Sequence, residues 1–483
     1  MDKLYIELEK YSQKDIYPFH MPGHKRNRQV MESEFPFDRD ITEIDGFDNL
    51  HHPEGILKQA QESAAELYGS RECFFSINGS TAAILSAVSA SVRRGGQILM
   101  ARNCHKAVYH AVYLRNLKPT YVYPHIEHEF GINGGISPSR VKRALEANKK
   151  IEAIIITSPT YDGVVSDVAG ISRVAQEYGI PLIVDEAHGA HFSFSDYFPV
   201  SAVNKGADLV IQSLHKTLPS MTQTAILHRC SDKVKSDMIR KFMGIYQSSS
   251  PSYILMASMD ACLEKIRKDG DAMFQSFTEN LREVRERLEN CRNIRLLTPD
   301  IIGTAGIFDY DRSKLLFFTN GTSINGSKLY RILLEEFHLQ MEMETENYVT
   351  AITTAGDTKE GLERLCNAIE EIDRRESLKK HEDRRNSIWK EVSPCMQMKQ
   401  SMVIGDACEA PVKRCPIEES IGKISAEFVY LYPPGIPIIV PGEQITGHFV
   451  RNMRRYMEQG LDLQGLSDYT NQTICIVDDS MGE

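Results

Sequence analysis

The stretches Pro181-Leu182-Ile183-Val184-Asp185-Glu186-Ala187-His188-Gly189 and Ala207-Asp208-Leu209-Val210-Ile211-Gln212-Ser213-Leu214-His215-Lys216-Thr217 decide the fold. Each is a short apolar run that stops abruptly at polar, ionisable residues. Leu, Ile and Val in unbroken succession are what a strand shows when both faces of its sheet are covered. Working outward, the same design recurs. Cys73-Phe74-Phe75-Ser76-Ile77 runs into Asn78-Gly79-Ser80, Gln97-Ile98-Leu99-Met100 into Arg102-Asn103-Cys104-His105, and Ala153-Ile154-Ile155-Ile156-Thr157 into Ser158. Helical patterns lie between or before these runs, as in Gly55 to Tyr68, Thr81 to Val92 and the segment from His105 through Tyr113. Strand–helix alternation predicts an α/β fold, a mainly parallel sheet with helices on both faces. Ligands of such sheets sit beyond the carboxyl ends of the strands. Asn78, His105, Ser158, Asp185 and Ser213 are therefore expected along one edge.

Lys216 just past one strand and Asp185 at the tip of another suggest pyridoxal phosphate chemistry. A lysine amine forms a Schiff base with the aldehyde, and a carboxylate pairs with the ring nitrogen. Each residue also has a plainer reading: a strand-end lysine is commonly solvated, and an aspartate after a strand commonly caps a helix. Ser213, His215, Thr217 and Thr222 surround the lysine with groups able to bind phosphate or relay protons. At Asn78-Gly79-Ser80-Thr81 a strand-to-helix turn offers backbone N–H groups and the hydroxyls of Ser80 and Thr81 to a phosphate, or simply a serine cap. It is neither a Walker A loop nor a Gly-x-Gly-x-x-Gly fingerprint. His105 suits stacking on a pyridine ring or capping a helix. Ser249, within Tyr246 to Ser252, supplies hydroxyls to the phosphate or belongs to a helix-entry loop.

The chain of 483 residues exceeds one hydrophobic core. Residues 1–55 read as an N-terminal arm and 56–258 as the large cofactor-binding domain. A smaller α+β domain follows over 259–378, with charged helices from Asp271 to Leu288 and from Lys359 to His381. Residues 379–400 read as a linker and 401–483 as a C-terminal α+β unit, whose prolines around Tyr432 to Glu443 favour edge strands and turns. The net charge of −10 argues against a nucleic-acid or anionic-membrane partner. No run reaches the ~18 apolar residues of a membrane span. The ten cysteines form no Cys-x-x-Cys pair and no zinc-like cluster, as expected of reduced thiols in a cytoplasmic enzyme without a metal.

Taken together, these motifs resemble the ornithine/lysine/arginine decarboxylases, fold-type I pyridoxal-phosphate enzymes, in their short bacterial form. The resemblance is carried by Phe19-His20-Met21-Pro22-Gly23-His24-Lys25, Asp48-Asn49-Leu50-His51-His52-Pro53, Asn78-Gly79-Ser80-Thr81, Asn103-Cys104-His105-Lys106, Val184 to Phe192, Ser213-Leu214-His215-Lys216 and Tyr432-Pro433-Pro434-Gly435-Ile436-Pro437. It implies Lys216 as the Schiff-base lysine, Asp185 as partner of the pyridinium, and His105 stacked on the ring with Ala187 on the other face. It implies Ser80 and Thr81 on the phosphate, with Ser213 and His215 beside it. His188 falls where longer members often carry a bulky aromatic. The implied reaction is α-decarboxylation of a basic amino acid, arginine first and lysine close behind, in a homodimer whose active sites lie at the subunit interface. Ser249 and the 1–55 arm would cross over there. Glu443 and the Asp45/Asp48 region are the carboxylates considered for the substrate's distal cation. Lys216 and Asp185 alone equally fit an aminotransferase or a carbon–sulfur lyase; the family-wide motifs favour decarboxylation.

Overall fold

The apolar runs pair as the sequence predicts. The computed structural model describes residues 3–14, 36–378, 397–431, 435–458, 460–461 and 463–478. Its central sheet contains β1 (Glu72–Ser76), β2 (Gln97–Ala101), β3 (Lys118–Val122), β4 (Ile151–Thr157), β5 (Leu182–Asp185), β6 (Leu209–Ser213) and β7 (Ala225–Arg229). The seven strands lie in the order β1-β7-β6-β5-β4-β2-β3. From β6 to β3 every pairing is parallel, whereas β7 is antiparallel to both β6 and β1. Strands β3 and β7 are the two that sequence reasoning passes over; β7, Ala225-Ile226-Leu227-His228, is short and follows a polar loop.

Successive residues of a strand point to opposite faces, and here both faces are covered. Phe75 and Ile226 join one core, Phe74 and Leu227 the other. Helices α1 (Leu4–Ser12) and α2 (Ile56–Tyr68) contribute to the first core, and α3 (Gly79–Ser91) and α4 (Lys106–Leu114) to the second. Thus part of the N-terminal arm is a docked helix: Leu4, Leu8 and Tyr11 are buried. The Phe19–Lys25 motif lies outside the described residues, as do Tyr432, Pro433 and Pro434.

Helix α5 (Ser236–Tyr246) leads through an exposed serine loop into α6 (Tyr253–Leu288), 36 residues long. The helix expected from Asp271 therefore starts far earlier and runs unbroken through residue 258. Its apolar stripe (Met256, Met259, Leu263, Ile266, Phe274, Phe277, Leu281) lies in the core shared by both units. The smaller unit is an antiparallel sheet of β8 (Arg295–Leu296), β9 (Lys314–Phe318), β10 (Met343–Glu344) and β11 (Tyr348–Ile352), in the order β8-β9-β11-β10; the helix Gly326–Glu335 packs on β11 and β10, and α7 (Lys359–Ser377) packs against α6. It is tied to the large sheet's loops where Asp309–Tyr310 pairs antiparallel with Val164–Val165.

The C-terminal unit has its own small core around Val429, Ile439, Phe449 and Ile474. It is fastened to the large domain by a buried ion pair. Arg102, one residue past β2, reaches Glu443 through Nε to Oε1 at 3.2 Å and Nη2 to Oε2 at 3.0 Å. The same guanidinium donates to the carbonyls of Pro437 and Ile438 and to the Tyr109 hydroxyl. Both side chains are essentially without solvent exposure, at 1% and 0%. Removing one partner of such a pair strands a charge in low dielectric. Glu443→Ala is accordingly expected to destabilise the chain by about 3–5 kcal/mol in a denaturant titration; a loss in the range of a surface pair, below about 1 kcal/mol, contradicts this.

Candidate active site

The carboxyl edge of the sheet opens on a cavity of about 590 Å3. Each principal side chain arrives there from the end of a strand. Asp185 closes β5 and is buried, its Oδ1 accepting from Ala187 N at 3.2 Å. Ser213 closes β6, and the next helical turn, Leu214–Thr217, presents His215 and Lys216. Because Asp185 and Ile211 are register partners on hydrogen-bonded strands, the carboxylate and the lysine turn are positioned by the backbone ladder.

Beyond β1 the chain turns at Gly79, whose φ of +71° favours glycine, and its N–H bonds to Gln223 O at 2.9 Å. Ser80 and Thr81 then fall in the first turn of α3, where free N–H groups point outward. Ser80 Oγ lies 2.6 Å from Ser213 Oγ, so the two strand ends meet at one hydroxyl pair. His105 follows β2 and combines both readings of the sequence. Its Nδ1 accepts from Ala107 N at 3.2 Å, capping α4, while its ring lines the cavity.

Charge in this enclosure is governed by burial. Desolvation, then Lys216 and Lys106, bring His105 down to about 3, so it is a neutral ring. His215 is also lowered by burial, against the Thr224 carbonyl to which its Nδ1–H donates at 3.0 Å. Burial raises Asp185 above the usual carboxylate range, and Lys216 opposes this. The same burial lowers Lys216, opposed by Asp185 and Glu342.

Sequence reasoning missed the wall supplied by the smaller unit. Lys314, the first residue of β9, is fully buried, and its Nζ lies 3.0 Å from His188 Nδ1. His188 Nε2 lies 3.0 Å from Lys216 Nζ, and the ring stands edge-on to Tyr161 with centroids 4.7 Å apart. Tyr161 in turn donates to Glu342, which with Asp185 makes up the carboxylates lining the cavity among the described residues. The only available signal was a lysine opening an apolar strand, Lys314-Leu315-Leu316-Phe317-Phe318.

The donor set fits pyridoxal phosphate. The cavity brings together a lysine amine, a buried carboxylate, a neutral imidazole, hydroxyls at a helix N-terminus and the small Ala187. Asn103 Oδ1 and Thr157 Oγ1 also line it, buried and without a partner among the described residues. Of the residues expected from the sequence, Lys216, Asp185, His105, His215, Ser80, Thr81, Ala187, His188 and Ser213 all line this cavity. Ser249 is exposed on the loop before α6, outside the lining. Ser158 is also outside it, buried with its Oγ accepting from Ser166 N. Glu443 is corrected outright: it is consumed by Arg102. Asp48 is a structural cap, its carboxylate accepting the N–H groups of Asn49, Glu54, Gly55 and Leu57 at the start of α2, and Asp45 is exposed away from the cavity.

Comparison with known proteins shows the family and the fold. An arginine decarboxylase of Bacillus subtilis is 32% identical over 98% of this chain and 97% of its own. One from Bacillus anthracis is equally similar over the same shares. The lysine decarboxylase of Francisella novicida superposes with a TM-score of 0.84 at 21% identity, over 98% of this chain and 81% of its own. The constitutive lysine decarboxylase of Escherichia coli gives 0.82 at 18%, over 98% and 82%. Residues 3–325 match the major domain of the Orn/Lys/Arg decarboxylases and residues 383–466 their C-terminal domain. The chain belongs to the Orn/Lys/Arg decarboxylase family.

Proposed function

We propose that the chain removes the α-carboxylate of arginine or lysine as carbon dioxide, with pyridoxal 5'-phosphate held in the cavity at the carboxyl edge of the sheet, and so forms agmatine or cadaverine for polyamine metabolism. The observation that carries this is the convergence of Lys216, Asp185 and the Ser80–Ser213 hydroxyl pair on one cavity in a chain of this family. Bound there, the cofactor supplies an electron sink for the pair left on the α-carbon.

The roles of the chain's own residues follow from their positions. Lys216 is the amine that holds the cofactor. Asp185, whose own burial is unfavourable when ionised, gains a cationic partner in the ring nitrogen. His105 offers a neutral face for stacking, and Ala187 a small one opposite. Ser80, Thr81 and the first-turn N–H groups of α3 receive the phosphate, beside Ser213. His215 keeps Nε2 as its acceptor, because Nδ1 donates to Thr224 O, so it can hold a proton close to Lys216. Glu342 is the carboxylate for the substrate's distal cation, displacing the earlier candidates Asp48 and Glu443. Ser249 acts on the phosphate across the interface of a homodimer. A cytoplasmic setting is the reading for ten cysteines that form no Cys-x-x-Cys pair. Among the described residues no helix is long and apolar enough to cross a membrane.

Borohydride reduction of the enzyme followed by peptide mass analysis should find a pyridoxyl group on Lys216; an adduct elsewhere overturns the assignment. Asp185→Asn should lower carbon dioxide release about 10²- to 10³-fold, as for loss of a preorganised charge, with the cofactor still captured. Glu342→Gln should raise KM for arginine or lysine by roughly tenfold or more while changing kcat little, since a bond to a charged group contributes about 1.5–3 kcal/mol. An unchanged KM removes Glu342 from substrate recognition.

A further inference from the structure

The motif Asp48-Asn49-Leu50-His51-His52-Pro53 stands outside the lining of the cavity, yet it is rigidly built. Asp48 has a φ of +67°, which few residues other than glycine adopt. The Tyr253 hydroxyl donates to its carbonyl at 2.5 Å, and Asn49 Oδ1 accepts from His51 N at 2.8 Å. These bonds aim one side chain. His51 Nε2 lies 2.7 Å from the carbonyl oxygen of Ser248, in the serine loop between α5 and α6. A carbonyl only accepts, so Nε2 carries the proton and donates.

Ser248 connects His51 to the turn that opens α3. Its N–H donates to Asn78 Oδ1 at 3.3 Å. Gln247, one residue earlier, holds the same turn: Oε1 accepts from Ile77 N at 2.8 Å, and Nε2 donates to Phe75 O at 3.3 Å. Asn78 is the N-cap residue of α3. Asparagine is favoured at that position because its side-chain oxygen accepts from the second or third N–H of the helix. Those groups belong here to Ser80 and Thr81, and Asn78 makes no such bond. The contrast lies within the same chain. Asn325, at the N-cap of the helix Gly326–Glu335, does cap, its Oδ1 accepting from Lys328 N at 2.9 Å. The Asn78 oxygen is committed to Ser248 instead, and the first turn of α3 is left for an anion.

We propose that His51 is a positioning residue that, through the main chain of Ser248, holds the Asn78 side chain off the N-terminus of α3 and so keeps the N–H groups of Ser80 and Thr81 open to the cofactor's phosphate. This rests on the reading of Ser80, Thr81 and the first turn of α3 as the place of that phosphate. Without the His51 bond the serine loop loses its hold on Asn78, and the asparagine swings onto the helix as Asn325 does. The phosphate must then displace a cap before it binds. Only ligands that carry a phosphate feel the difference.

The test uses the full chain stripped of cofactor and compares capture of pyridoxal 5'-phosphate with capture of pyridoxal, which lacks the phosphate. Each aldehyde is titrated, fixed with borohydride and quantified on Lys216 by peptide mass. The ratio of half-saturating concentrations is the phosphate preference. A wild-type ratio near one overturns the phosphate reading and this inference with it; the variants test His51 alone. His51→Phe should lower the preference roughly fivefold, the size of a typical helix cap, with pyridoxal capture unchanged. His51→Gln keeps a donor and should keep the preference. Asn78→Ala should keep it too, and adding Asn78→Ala to His51→Phe should restore it, since no side chain remains to cap α3. An unchanged preference in His51→Phe, an equal loss for both aldehydes, or a double variant as weak as His51→Phe overturns the proposal. Should His51→Phe fail to fold, a crystal structure of the unaltered chain with pyridoxal 5'-phosphate decides. Asn78 Oδ1 must stay on Ser248 N, and finding it on Ser80 N or Thr81 N overturns the proposal.

Discussion

A buried amine beside a buried carboxylate is the constraint around which this site is arranged. Burial drives the proton off Lys216, and Asp185 draws it back. At the carboxyl edge of a parallel sheet these opposed effects are held at a fixed separation, because the residues end strands locked by a backbone ladder. The sheet's twofold burial is therefore a functional requirement: its apolar cores keep both groups in a medium where charge is expensive enough to be controlled.

How far the site could be read from the sequence follows from how far each feature depends on distant chain. Strands β1, β2, β4, β5 and β6 were legible because burial on both faces writes an uninterrupted apolar run. The residues immediately after them were legible because a strand end is a local event. Strand β7 was not, since its antiparallel insertion beside β6 is dictated by topology and not by composition. The true start of α6 at Tyr253 was hidden because Tyr253 to Gly270 mixes buried apolar residues with charge, while only the later turns read as a plain amphipathic pattern.

The carboxylates show the same limit more sharply. Asp48, Asp185, Glu342 and Glu443 are indistinguishable by residue type, and each has a different task. Asp48 meets backbone N–H groups within ten positions of itself, whereas Glu443 meets Arg102 from 341 positions away. A carboxylate in an acidic chain is solvated by default; only its partner reveals otherwise, and for Glu443 and Glu342 the partner comes from another domain. Glu342 and Lys314 were missed for that reason: Glu342 lines the cavity from the smaller unit, and Lys314 lies behind His188.

Division of labour between the two units follows from this. In the proposed function the large domain supplies the phosphate cradle and the Asp185–Lys216 pair. The smaller unit supplies Glu342 to the cavity wall and Lys314 behind His188. His188 joins the two, its ring lying between Lys216 and Lys314. A bulky aromatic at position 188 could keep the edge-on contact with Tyr161 but would offer no nitrogen to either lysine. Packing alone therefore does not account for a histidine there; two amines, each 3.0 Å from a different ring nitrogen, do.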